Sequence, residues 1–146
     1  MRCREMLQAV GQLSVHTRGS GLLDITGQVA GWVDQQAMGD GLLTLFCRHT
    51  SASLLINENA APAVRRDLQR YFEAVAPQDS SRYEHDDEGP DDMPAHLRTA
   101  LTGVSLSIPV IGGAMALGTW QGIYLFEHRA QPHRRHVALH LIGSAR

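Results

Sequence analysis

The sequence predicts an α+β fold: two packed, largely antiparallel β-sheets, sandwich-like, with two or three flanking helices. Three observations point there. The run "GLLTLFCRHTSASLLI" is rich in apolar and β-compatible residues over its full length. From Val104 onward the chain reads as strands separated by glycine-rich turns. Strands and helices do not alternate regularly, which argues against a parallel βαβ layout.

In chain order, "EMLQAVGQLSV" alternates and reads as a strand, and "GSGLLDIT" as a glycine-led turn into a short one. Ile25 to Trp32 opens a short helix, because Ile25, Val29, Trp32 and Val33 share a helical face. Gly41 to Ile56 reads as two strands or one long bent strand with "RHTS" in its middle. A helix then follows Asn59, whose side chain suits an N-cap, and ends near Pro77. Its predicted apolar stripe is Val64, Leu68, Tyr71 and Val75. "AHLRTALTG" is a further short helix closing at Gly103. "VSLSIPV", "ALGTWQGIYLFEHR" and "HRRHVALHLIG" complete the strands. Repeats, low-complexity tracts and linkers are missing from the 146 residues, so a single domain over 1–146 is expected.

Composition narrows the function classes. With 43% hydrophobic and 19% charged residues the chain can bury a core. A formal net charge of −2 gives no basic field for nucleic acid, and no apolar run is long enough to span a membrane. The charged start "MRCREMLQAV" does not suit an export signal, and Cys3 and Cys47 lack a disulfide-framework spacing, so a cytoplasmic protein is expected.

Four stretches carry candidate chemistry. Between Tyr83 and His96 the chain places Glu84, Asp86, Asp87, Glu88, Asp91 and Asp92 beside His85 and His96. Imidazole and carboxylate together suit zinc, and carboxylates suit magnesium, although the spacing matches no standard zinc signature. Composition favours a solvated charged loop, and against it stand Gly89, Pro90 and Pro94, which lower the entropy lost on ordering or set a fixed turn. Second, a strand through 47–53 would send Cys47, His49, Ser51 and Ser53 to one face. Third, Glu127 and Gln121 fall in phase with Ile123 and Leu125, so each needs a polar partner. Fourth, the cationic turn "HRAQPHRRH" reads as a solvated hairpin, with phosphate binding as the alternative.

Taken together, "HTSASLLINENAAPAVRRDLQRYF", "YEHDDEGPDDMPAHLRTALTG" and "GTWQGIYLFEHR" resemble the YjbQ-type secondary thiamine-phosphate synthase family, in the same order and over nearly the whole chain. The resemblance implies a compact α+β fold, assembly as a homotrimer, and a thiamine-phosphate synthase activity that is weak or secondary. The polar positions that match the family are His49, Thr50, Ser51, Asn57, Glu58, His85, Asp92, His96, Gln121 and Glu127. Two positions depart: Ala61 stands where an acid usually precedes the helix-opening proline, and Ala114 where a basic residue often precedes "GTWQ".

On this basis the expected site has His49, Glu58, Asp92 and Glu127 in catalysis, and Thr50, Ser51, Asn57 and Gln121 on substrate. His49, His85 and His96 would hold a divalent metal ion, zinc or magnesium. The expected reaction joins a pyrimidine methyl diphosphate to a thiazole phosphate. Alternatives are a metal-dependent hydrolase or lyase of a small phosphorylated metabolite, and a non-catalytic trimeric metabolite-binding protein.

Overall fold

The computed structural model describes residues 3–146. It contains strands β1 (Met6–His16), β2 (Gly21–Asp24), β3 (Met38–Cys47), β4 (Ala52–Glu58), β5 (Ser105–Ile111), β6 (Ala114–Met115), β7 (Gln121–Glu127) and β8 (Arg134–Ala145). Helices α1 (Thr26–Gln35), α2 (Pro62–Val75) and α3 (Asp92–Thr102) lie between them, with a single 3₁₀ turn at Ser80–Arg82.

The α+β expectation holds. A five-stranded sheet runs β1-β8-β3-β5-β6 and a three-stranded sheet runs β2-β7-β4. Every strand pairing is antiparallel. Period-2 alternation explains the packing: Leu43, Leu45 and Cys47 of β3, and Val137, Leu139 and Leu141 of β8, are buried on one face. They meet Leu54 of β4 and Ile123 and Leu125 of β7 in one core, which Val29 and Val33 of α1 close. The central strand β7 is covered on both faces, since Phe72 of α2 packs edge-on against Phe126 at 5.5 Å between ring centroids.

Four local readings change. The segment 47–53 is not one strand: the chain leaves β3 at Cys47, turns through 48–51, and joins the other sheet at Ala52. The four side chains predicted on one strand face are therefore distributed around a crossover between sheets. Asn59 does not cap α2. Ala61 is the N-cap, with Pro62 opening the helix, and the first-turn approach is tied instead by Glu58 Oε2, which accepts from the N–H groups of Ala60 and Ala61 at 3.1 and 2.8 Å. The stripe of α2 is also displaced: Tyr71 and Val75 are exposed, while Phe72 turns inward. Finally, α3 begins at Asp92, three residues before the predicted start, with Asp91 as its N-cap residue. Gly103 ends it at φ +95°, a conformation that glycine adopts without a Cβ clash.

Candidate functional site

The start of α3 explains the acidic window. Asp92 and His96 are one helical turn apart and share a face. Gly89, at φ +99°, turns the preceding loop so that His85 and Glu88 fold back over that face. His85 Nε2 and His96 Nε2 both approach Asp92 Oδ2, at 2.9 and 3.1 Å. Potential ligand atoms of His85, Glu88, Asp92 and His96 all lie within 4.8 Å of one another. The other oxygen of Asp92 accepts from Arg129 Nη1 at 2.6 Å. Arg129 also donates to Asp91 Oδ2 at 3.1 Å and to the Glu88 carbonyl at 2.9 Å, so the loop is clamped rather than free.

Burial pushes the Asp92 carboxyl upward, but the hydrogen bond from His85 and the charges of His96 and Arg129 outweigh it and hold it below the ordinary carboxylate range. The hydrogen bond to Asp92 raises the exposed His85 above the usual histidine value.

The proton arrangement fits a cation. His96 Nδ1 lies 3.0 Å from the Thr50 carbonyl, which can only accept, so that nitrogen carries the proton. In the charged ring Nε2 donates to the Asp92 oxygen; in the neutral ring it is a bare lone pair facing that ionised oxygen. Two acceptors in contact are repulsive unless a proton or a cation lies with them. A histidine whose far nitrogen donates to a backbone carbonyl is the arrangement that presents a nitrogen to a metal.

A second polar cluster lies where β7 and β8 meet. Glu127 is 1% exposed and accepts from five donors. These are Thr17 Oγ1 at 2.6 Å, Arg135 Nε at 2.9 Å, Arg135 Nη2, and the backbone N–H groups of His128 and Arg129. Arg135, 4% exposed, also donates to Ser51 Oγ at 2.9 Å. This corrects the reading of "HRAQPHRRH" as a solvated hairpin: Arg129 is half-buried and Arg135 is enclosed. Nearby, Ser53 Oγ is 2.9 Å from Nε2 of the buried His128. Burial raises the Cys47 thiol to about 11, so it stays protonated and donates to the Ala52 carbonyl.

The structure thus gathers His85, Asp92 and His96, with His49 and Thr50 lining the same open cleft of about 600 Å³ as His96. His49 lies outside the four-residue ligand group. Its Nε2 accepts from the His136 N–H at 2.8 Å, leaving that nitrogen no lone pair for a metal. Asn57, Glu58 and Gln121 lie elsewhere in the protomer. Glu58 pairs with Gln121 and Ala52 with Glu127, so six residues of strand, about 20 Å, separate the two ends. There Asn57 Oδ1 accepts from the Glu58 N–H at the end of β4, and Gln121 Oε1 accepts from the Gly118 N–H across the turn before β7.

Residues that sequence reasoning missed are Glu88 as a ligand candidate, Asp91 and Arg129 as the clamp, and Arg135 as the partner of Glu127. One signal was present. Arg135 falls in phase with Val137, Leu139 and Leu141, as Glu127 does with Ile123 and Leu125, and two opposite charges at inward positions demand each other.

The family model "UPF0047 protein YjbQ-like" matches residues 11–144. A UPF0047 protein of Synechocystis sp. is 47% identical over 131 residues, 90% of this chain and 89% of that one. The UPF0047 protein YjbQ of Salmonella typhimurium is 46% identical over 133 residues, 90% and 94% of the two chains. Among solved structures, a YbjQ-like protein of unknown function from Sulfolobus solfataricus superposes with a TM-score of 0.88 at 26% identity, covering 96% of this chain and all of the other. A hypothetical protein from Aeropyrum pernix gives 0.84 at 32% identity, covering 93% and 99%.

Proposed function

The chain belongs to the YjbQ-like UPF0047 family, and from that premise we propose that it is a divalent-cation-assisted transferase acting on small phosphorylated metabolites, with thiamine-phosphate synthesis as its specific reaction. The observation that carries the reading is the meeting of His85 and His96 on one oxygen of Asp92, with the His96 proton committed to Thr50. His85, Glu88, Asp92 and His96 would hold the ion, zinc or magnesium. When bound, it would neutralise charge on a leaving diphosphate.

The protein's own residues supply the rest. The reaction forms a bond from the thiazole nitrogen to the pyrimidine methylene carbon and breaks the carbon–oxygen bond to diphosphate. No proton moves in that step, so the chain's task is orientation and exclusion of water from a cationic carbon. Arg129 holds Asp92 and the Glu88 backbone in place, so the ligand group is ordered before substrate arrives.

Assembly as a homotrimer is part of the proposal. The face of the five-stranded sheet opposite the core exposes Val10, Leu42, Phe46 and Ile142, with Leu42 and Ile142 directly paired across β3 and β8. Such a row of apolar side chains suits burial against other copies. Light scattering should give three times the mass of the 16.0 kDa chain, and a monomer at micromolar concentration would refute it. A cytoplasmic setting accords with Cys3 and Cys47 as free thiols.

The test combines binding and turnover. Metal-stripped protein should take up zinc or magnesium and then form thiamine phosphate from the two substrates. Asp92→Asn should lower cation affinity by on the order of a hundredfold. His96→Ala, at a half-buried position, is the second variant if the first folds poorly. Cation binding with hydrolysis of other phosphorylated metabolites, and no thiamine phosphate, would move the reading to a hydrolase or lyase. Neither binding nor turnover would leave a metabolite-binding protein.

A further inference from the structure

The hydrogen-bond pattern at His49 leaves two donors facing each other. Because His49 Nε2 accepts from the His136 N–H, the neutral ring must carry its proton on Nδ1. Burial, followed by the charges of Arg135 and His136, lowers this histidine's pKa, which agrees with a neutral ring. Nδ1 lies 3.5 Å from Arg135 Nη1. A guanidinium nitrogen cannot accept, so this contact is N–H against N–H. The rest of Arg135 is committed: Nε and Nη2 serve Glu127, and Nη2 serves Ser51 as well. Among the described residues neither Nη1 nor His49 Nδ1 has an acceptor.

We infer that His49 Nδ1 and Arg135 Nη1 form an oxyanion subsite that takes a phosphate oxygen of the substrate. This deepens the proposed function by giving the metabolite's phosphate its own place, beside the cation ligands and separate from them. Three features support it. Arg135 is more than nine-tenths buried and its orientation is fixed by Glu127 and Ser51, so its free N–H is aimed before any ligand arrives. Arginine and imidazole donors match the lone pairs of phosphate oxygen. His49 also lines the cleft that His96 lines, so a metabolite in that cleft meets the subsite at its His49 side and the cation ligands at His96. His49 accordingly binds substrate here and does not ligate metal.

Inorganic phosphate is the probe, titrated into chelator-treated protein so that no cation contributes, with imidazole nitrogen and proton shifts followed by NMR. The His49 resonance should shift and saturate while His85 and His96 stay in place. His49→Ala should weaken phosphate binding by about tenfold or more, the loss expected for one hydrogen bond to a charged group. His49→Asn, which keeps a short donor near Nδ1, should retain part of the affinity. Equal affinity in wild type and His49→Ala would overturn the inference, as would phosphate binding that appears only after zinc is added and shifts only His85 and His96. That last result would leave the cation site standing, while absence of any cation binding would leave this subsite standing.

Discussion

Glu127→Gln should lower the stability of the protein by about 3–5 kcal/mol, the effect of leaving a buried charge without its partner. The carboxylate is 1% exposed and Arg135 is 4% exposed, so water cannot screen the cation that remains. Glutamine has nearly the same shape, which isolates charge from packing. It also presents an amide donor where five donors now converge, so at least one of Thr17, His128 N and Arg129 N would lose its acceptor. Urea unfolding measures the change, with the double variant Glu127→Gln, Arg135→Met as control. If the loss comes from the orphaned guanidinium, the double variant should recover part of it. A single variant within about 1 kcal/mol of wild type would show that this ion pair is not what the closed geometry implies. The same variant bears on the oxyanion subsite, because it weakens one of the two groups, Glu127 and Ser51, that fix the direction of the free Arg135 N–H.

How far the sequence made this legible depends on whether a signal was periodic or spatial. Alternation identified the sheets because burial on one face of β3 and β8 leaves its mark at every second residue. The α2 stripe misled because Tyr71 and Val75 share the helical face of Val64 and Leu68 yet remain exposed, while Phe72, one residue on, supplies the contact to Phe126. Composition alone favoured a solvated acidic loop, its prolines and glycine argued against that, and the family resemblance carried the ordered reading; His85, Asp92 and His96 do converge. Arg129 could not be paired with Asp91 and Asp92 from spacing, since about 38 residues and three strands separate them. Glu58 and Gln121 shared motif quality with His49, but strand length alone places them at the other end of the same sheet. Polar residues in a motif thus divide into those that build turns and those that face a cleft, and only the register distinguishes them.

His128 should make the protein acid-labile well above the carboxylate range. Its ring is 1% exposed, packed 4.3 Å from the Phe126 centroid, with Nε2 on Ser53 and, among the described residues, no partner for Nδ1. Burial, then the nearby charges of Arg98 and Arg135, lowers its pKa from the ordinary 6.5 to about 3. Between those values the unfolded chain binds a proton that the fold refuses. The contribution is therefore fully present above about pH 6.5 and is lost as pH falls, at about 1.4 kcal/mol per pH unit, reaching roughly 4–5 kcal/mol near pH 3. His85 works in the opposite sense: its raised pKa gives stability that is complete below the unfolded value and lost as pH rises through the folded one. Asp91 and Asp92, held low, add their own losses only as pH falls below the ordinary carboxylate value. In the window from about pH 6 to 4.5 these carboxylates stay silent, while His49, whose pKa burial also lowers, adds a loss of the same sign, so the comparison with a His128 variant isolates His128. His128→Gln keeps a polar contact to Ser53 and cannot titrate, so denaturation across that window should show a slope shallower than wild type by about 1 kcal/mol per pH unit. Parallel slopes in the two proteins would mean that the ring is protonated, or reached by water, inside the fold.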